Sequence, residues 1–354
     1  PLLSGAWTDY ALRQIHTAEA GLAGARAGYE QSTQDTLLDV VRAYWELVFA
    51  REDYRVQYQA LELAREQLRI TNERIRVKAL AARDRIADQA EVAQRQEGLI
   101  TAASRIHEQE DALRRLLFDD QDGEMWGVGL LPVSPIPTKY DVSKLAWQVL
   151  QREARRHRPV LQELRNQVRI AEIEVMATDR DLWPQLDFVG SWGTAGVRPH
   201  SYDSWGDVAD LDFPDWSVRL EFSIPIGNNA ARGRHSRAVL VFGEERRVLF
   251  AQELQVDLEV RTAIRSLKTW SESIKASRES VRLAESNLDT ARHKWRVGEL
   301  TFFDVQERNQ ELQEARSRHL RNQVDFRIAE GELLHAQGKL VVPDQPDQKP
   351  DKAR

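Results

Sequence analysis

The sequence predicts a mainly α protein with a membrane β part, in which two copies of a long helical hairpin carry most of the chain. Three observations predict it. A short stretch, RVGELTFFDV at 296–305, lies between two heptad-patterned segments. Its punctuation occurs once before, as RVKALAARDR at 76–85, so that Arg76 matches Arg296, Val77 matches Val297, Leu80 matches Leu300 and Asp84 matches Asp304, all at an offset of 220 residues. A repeat of this kind fixes architecture before any other signal. Between the copies the hydrophobic period changes to two, in runs at 182–192 and 216–226. Each run is close to the length of a tilted strand crossing a bilayer.

Composition agrees. Charged residues make up 30% of the 354, against only 18 glycines and 12 prolines, which suits long helices better than loops. A formal net charge of −6 leaves no basic footprint for nucleic acid. Cysteine is absent, which excludes disulfides, cysteine-ligated metals and thiol catalysis. The opening Pro1-Leu2-Leu3-Ser4-Gly5 is neither charged nor long enough for a signal peptide. No run of about 18 apolar residues is present to make a transmembrane helix, but alternating barrel strands hardly register on hydropathy.

Taken in order, residues 1–7 read as the end of an apolar element, and a helix is expected from Thr8 or Asp9, either a suitable N-cap, to about Val77. Val40, Leu47, Tyr54, Leu61, Leu68 and Ile75 recur along it every seventh residue; the second copy repeats them as Val260, Leu267, Ile274, Val281, Leu288 and Trp295. Ala64, Thr71, Ala284 and Ala291 follow three residues after four of these, an a/d seam with small residues that permits close approach. The second helix is expected from near Ala231 to Val297 and spans roughly 100 Å at the helical rise, too long for a compact globule. The returning helices carry Val92, Leu99, Ile106 and Leu113, then Leu312, His319, Phe326 and Leu333. His319 reads as a seam histidine rather than a metal ligand, because no second ligand stands at i+4. From the helices alone an ordinary soluble coiled coil fits equally well.

Residues 119–141 carry acids, glycines and prolines and read as a connector. Helices are expected at Val142–Arg156 and Val160–Arg180. In the first alternating run Leu186, Phe188, Gly190 and Trp192 share a face opposite Gln185, Asp187, Val189 and Ser191. In the second, Trp216, Val218, Leu220, Phe222 and Ile224 oppose Ser217, Arg219, Glu221 and Ser223. Trp183, Trp192 and Trp216 stand at the ends, where membrane aromatic girdles sit. The alternative is a half-buried hairpin on a soluble core. The loop 193–215 holds Asp203, Asp207, Asp210, Asp212 and Asp215 and reads as solvated; a calcium site at Asp210 and Asp212 lacks the spacing and glycine of known loops. The tail from Val341 is proline- and charge-rich and is expected to be disordered. The expected segments are 1–118 (first hairpin), 119–165 (connector), 166–226 (helix end and strand pair), 227–340 (second hairpin) and 341–354 (tail).

In this order WRVGELTFFDVQE at 295–307, DLWPQLDFVGSWG at 181–193, RHRPVLQELRNQVRIAEIEV at 156–175 and FSIPIGNNAARGR at 222–234 resemble the TolC-type outer-membrane efflux proteins of Gram-negative bacteria, over nearly the whole chain. The resemblance implies a homotrimer in the outer membrane, with strands joining one β-barrel and helices forming a periplasmic α-barrel. It implies a periplasmic adaptor and an inner-membrane transporter as partners, and no cofactor. The family has a strand pair before each long helix. Here Pro1–Gly5 matches only the end of the first pair, so the chain is expected to start late, and a trimer of it alone would not close the usual barrel.

The expected function is a passive exit duct for efflux or secretion; the rival is a soluble coiled-coil scaffold with a β-hairpin. No nucleophile–base pair, phosphate loop or ligand cluster suggests an enzyme or a bound metal. Only Met125 and Met176 are present, so no methionine-rich lumen points to copper or silver cargo. Gln185, Asp187, Ser217, Arg219, Glu221 and Ser223 are expected to line the barrel lumen, and Leu186, Phe188, Trp192, Trp216, Val218, Leu220 and Phe222 to face outer-membrane lipid. The tips, Arg76, Val77, Leu80, Arg296, Val297, Gly298 and Leu300, are expected to dock the adaptor, or else to be well-capped turns, Gly298 supplying the left-handed residue. Asp304 and Glu307, with Asp84 at the matching place in the first repeat, are expected to form an acidic gate. The competing reading is a Thr301–Asp304 capping box.

Overall fold

The computed structural model describes residues 2–3, 8–78, 80–118, 123–136, 140, 142, 145–194 and 214–340. Asp203, Asp207, Asp210, Asp212, the tail from Val341 and the side chain of Asp84 lie outside the described residues. The elements are α1 (Thr8–Ala11), α2 (Arg13–Arg76), α3 (Asp84–Leu117), α4 (Trp147–His157), α5 (Pro159–Arg180), β1 (Gln185–Thr194), β2 (Pro214–Ser223), α6 (Asn229–Arg296) and α7 (Phe302–Ala336). A 3₁₀ turn at Gly123–Gly127 belongs to the connector.

The chain forms two compact units whose boundaries cut through the long helices. The first unit holds residues 1–30 and 159–254. Its helices pack through small side chains: Ala20 and Ala27 on α2, Ala171 and Ala177 on α5, and Ala231 and Ala238 on α6 are buried. Alanines at such positions let backbones approach closely, so little side-chain volume is needed to exclude water. Tyr10 donates to Asp181 at 2.8 Å, which joins the chain before α2 to the end of α5.

The second unit holds residues 31–158 and 255–354. Here the seven-residue ladders form the core: Leu47, Leu61, Val260, Leu267, Ile274, Leu288, Leu312 and Phe326 are buried, and none of the other ladder residues is exposed. Burial of each large apolar side chain is worth about 1.5–3 kcal/mol. Ion pairs flank the core. Glu46 of α2 takes both terminal nitrogens of Arg321 of α7, at 2.7 and 2.8 Å, which with Asp325 holds that guanidinium well above the usual arginine range.

Several expected boundaries differ, and the first long helix is divided at Leu12 into α1 and α2. The fourth helix begins at Trp147, not Val142. Ala146, just before it, has an extended backbone, and Tyr140 is anchored upstream by tertiary contacts: its ring meets Phe326 edge-on at 5.0 Å and its carbonyl accepts from Ser271. The strands run 185–194 and 214–223 rather than 182–192 and 216–226. Pro184 immediately precedes β1 and Pro225 follows the end of β2 by two residues; proline has no N–H to give a ladder, and the one inside a strand, Pro214, is the first residue of β2.

Candidate functional site: the strand pair and the hairpin tips

β1 and β2 pair antiparallel with Leu186 opposite Phe222, Phe188 opposite Leu220, Gly190 opposite Val218 and Trp192 opposite Trp216. Directly opposed residues share a face, so the register gathers the large apolar side chains of both strands on one side. The other side pairs Gln185 with Ser223, Asp187 with Glu221, Val189 with Arg219 and Ser191 with Ser217. The two serine hydroxyls lie 2.8 Å apart and Arg219 reaches Glu221 at 3.8 Å. The face carrying Phe188, Trp192, Trp216, Val218, Leu220 and Phe222 is 57–71% exposed in the single chain. A two-stranded ribbon with such a face is not stable alone in water; an apolar surface must cover it. Along the edge of β1, Leu2 donates its backbone N–H to Leu186.

The tips lie in the second unit. α6 ends in a full Schellman motif: Gly298 has φ 82°, its N–H donates to Trp295 at 3.1 Å and Glu299 donates to Lys294 at 2.9 Å. At the equivalent place after α2, Lys78 has φ 60° and donates to Ile75. Val77 and Val297, matched in the repeat, are 67% and 68% exposed. Leu80 and Leu300 are half-buried, and Arg76 and Arg296 are exposed. Leu300 packs with Trp295 against the cluster of Leu288, Ala291, Val305 and Leu312.

The expected gate acids are built into the start of α7. Thr301 is its N-cap, and its backbone N–H and hydroxyl both donate to Oδ2 of Asp304, at 2.8 and 2.6 Å. The hydroxyl bond first, then the backbone bond, holds the Asp304 carboxyl below its ordinary value. Glu307 is exposed and lies 3.6 Å from Arg308. Repeat equivalence fails here: Asp304 is the third residue of α7, whereas Asp84 is the first of α3, whose N-cap Arg83 makes no side-chain cap. Both acids sit in a first turn, where the helix dipole favours them.

Sequence reasoning missed Arg74, whose guanidinium lies 4.1 Å over the Trp295 ring and links the first helix of one hairpin to the first of the other. The available signal was a tryptophan at a ladder position matched by Ile75. His319 sits half-buried in the seam with Nδ1 2.8 Å from the Ser277 hydroxyl, which also donates to Ile274. Burial, then Arg278, pushes its pKa down. Among the described residues no cluster of three or more His, Asp or Glu could hold a metal ion, and no helix is long and apolar enough to cross a membrane.

Two long helical hairpins in a repeat, joined through a strand pair with one apolar face, define the TolC-type channel class. The family model for outer membrane efflux proteins matches residues 150–339, more than half of the chain, and the protein belongs to that family. It is therefore an outer-membrane protein, from a family of channels. Solved structures agree in fold. The CmeC outer membrane channel of Campylobacter jejuni superimposes with a TM-score of 0.70 at 19% identity, covering 95% of this chain and 69% of that one. The outer membrane protein VceC of Vibrio cholerae gives 0.74 at 17%, covering 93% and 76%. The open state of the MtrE outer membrane channel of Neisseria gonorrhoeae gives 0.71 at 17%, covering 92% and 72%. No curated protein sequence matches.

Proposed function

We propose that the protein is a passive exit duct, working as a homotrimer with a periplasmic adaptor and an inner-membrane transporter. The observation that carries this reading is the β1–β2 register, which from Gln185–Ser223 to Trp192–Trp216 gathers the large apolar side chains on one face and, Val189 apart, polar ones on the other. In the trimer, Leu186, Phe188, Trp192, Trp216, Val218, Leu220 and Phe222 face lipid, and Gln185, Asp187, Ser217, Arg219, Glu221 and Ser223 face the lumen. An arginine on the lipid face near mid-bilayer costs about 2–4 kcal/mol. Leu220→Arg should therefore be lost from outer membranes of cells expressing the full-length protein, while Arg219→Leu assembles. Equal assembly of the two variants would remove the face assignment and with it the duct.

The tips, with Arg76, Val77, Arg296, Val297 and Gly298 exposed and Leu80 and Leu300 half-buried, are the proposed adaptor contacts. Asp304 and Glu307, with Asp84, are the proposed acidic constriction, which three copies around an axis would concentrate. Both cap bonds fall on one oxygen of Asp304, so capping and lining the constriction are compatible. In planar bilayers, multivalent cations added from the periplasmic side should block wild-type conductance strongly. Block should weaken in the Asp304→Ala, Glu307→Ala double variant, and unchanged block would leave the capping role alone.

A further inference from the structure

At the carboxyl end of α7, four side chains meet inside the second unit. Arg158, at the bend between α4 and α5, is 4% exposed. Its Nη1 donates to the backbone oxygen of His335 and lies 3.1 Å from Nδ1 of the same residue. Its Nη2 donates to Glu259 of α6 at 3.0 Å. On the far side of the ring, His335 Nε2 lies 2.6 Å from Oδ1 of Asp35 on α2. The backbone closes the same joint: Gly338 has φ 68°, and a Cβ there would stand 2.6 Å from the carbonyl oxygen of His157. Gln34 donates to the Gly338 carbonyl, and Lys339 pairs with Glu153 at 2.7 Å. A cavity of about 510 Å³ opens beside the joint and gives water a route to the ring.

The donors fix the protons. A guanidinium offers only N–H groups, so the Nδ1 that faces Arg158 is an acceptor. Nε2 then carries the hydrogen that Asp35 accepts, and the ring is neutral. A second proton could go only on Nδ1, where it would oppose an arginine N–H and set two cations together in a buried site.

We propose that this joint is an acid-released latch: a proton on His335 displaces the Arg158 guanidinium and frees the end of α7 from the bend at Arg158. Burial first, then Arg158, depresses the His335 pKa, while Asp35 and Glu259 oppose the shift. The remaining charges around the ring are Glu332 on α7, taken up by Arg42 of α2 at 2.8 Å, and Asp39, 3.6 Å from the same arginine. Because the fold lowers this histidine, the stabilisation is complete above the ordinary histidine value and is lost as pH falls through the depressed one.

The test is hydrogen exchange of segment 331–339 in the full-length protein, corrected for intrinsic exchange, between about pH 7.5 and about pH 5, above the ordinary carboxylate range. Wild type should open about tenfold more at the lower pH, the scale of losing a hydrogen bond to a charged group. His335→Gln, which can donate to Asp35 and accept from Arg158 without titrating, should change less than about twofold. His157→Gln, a neighbouring exposed histidine, should behave as wild type. A flat wild-type response, an undiminished response in His335→Gln, or a response abolished in His157→Gln overturns the latch. Asp35→Asn gives an independent sign: removing the carboxylate that favours the charged ring should move the transition to lower pH, and a move to higher pH overturns the proposal.

Discussion

After α6 the chain reverses through a glycine in the left-handed region, a complete Schellman motif and a capping box; after α2 it reverses through Lys78, with no side-chain cap on α3. Beneath the second tip Val305, Leu288, Ala291 and Leu312 form a buried cluster. The repeat places Arg85, Leu68, Thr71 and Val92 at the matching positions of the first tip, and of these only Thr71 is buried. The exposed valines are nearly identical in accessibility, yet what supports them is not. The repeat thus conserves where the chain turns and what it shows to solvent, while leaving the stability of each turn to local chemistry. The second tip is therefore expected to be the firmer of the two, and the first to open more readily.

The largest expected difference comes from the cluster. Leu288→Ala removes a buried side chain and should destabilise the second hairpin by about 2–5 kcal/mol. Leu68→Ala, at the matching half-buried position, should cost less than about half of that. Exchange rates of the segments 293–306 and 73–86, each measured in its own variant, check the comparison. Equal losses would show that the two tips are supported alike.

The left-handed residues give a smaller, oppositely signed pair. Gly298→Ala forces a Cβ into that region at a cost of about 1–2 kcal/mol. Lys78→Gly relieves the same strain but adds about 0.5–1 kcal/mol of backbone entropy loss, leaving a gain of about 0–1.5 kcal/mol. If Lys78→Gly accelerates local opening of the first tip, the strain assigned to Lys78 is wrong.

Much of this was legible in the sequence, because seven-residue ladders and a fixed offset are long signals that tertiary contacts reinforce. The strand faces were legible for the same reason, since a one-residue slip would invert every side chain. What escaped were matters of single contacts. Tyr140 is anchored ahead of α4 by a ring contact with Phe326, and nothing local to Val142 announces it. Arg74 over Trp295 and Arg158 on His335 join residues 177 or more positions apart in sequence, beyond the reach of any pattern. The matched acids misled in a different way. Asp84 and Asp304 occupy one repeat position but different positions in their helices.

That last difference yields the smallest and sharpest test. Thr301→Ala removes the N-cap hydroxyl and should cost about 1 kcal/mol in the second tip; the first tip, without a side-chain cap, offers no counterpart. The cap also sets a pH dependence. Asp304 is held below its ordinary value by the Thr301 hydroxyl and backbone. Its contribution is therefore complete above the ordinary carboxylate range, near about pH 4, and is lost as pH falls through the depressed value. Exchange of segment 299–306 should rise in that acid window in wild type and rise less in Thr301→Ala. The same titration bears on the proposed constriction, because the two roles shift Asp304 in opposite directions. A cap lowers its pKa; three carboxylates crowded around an axis raise it. Following the Asp304 carboxyl by NMR in the full-length assembly separates them: a lowered value leaves the capping box as its dominant environment, and a raised value shows the acids of neighbouring copies pressing on it.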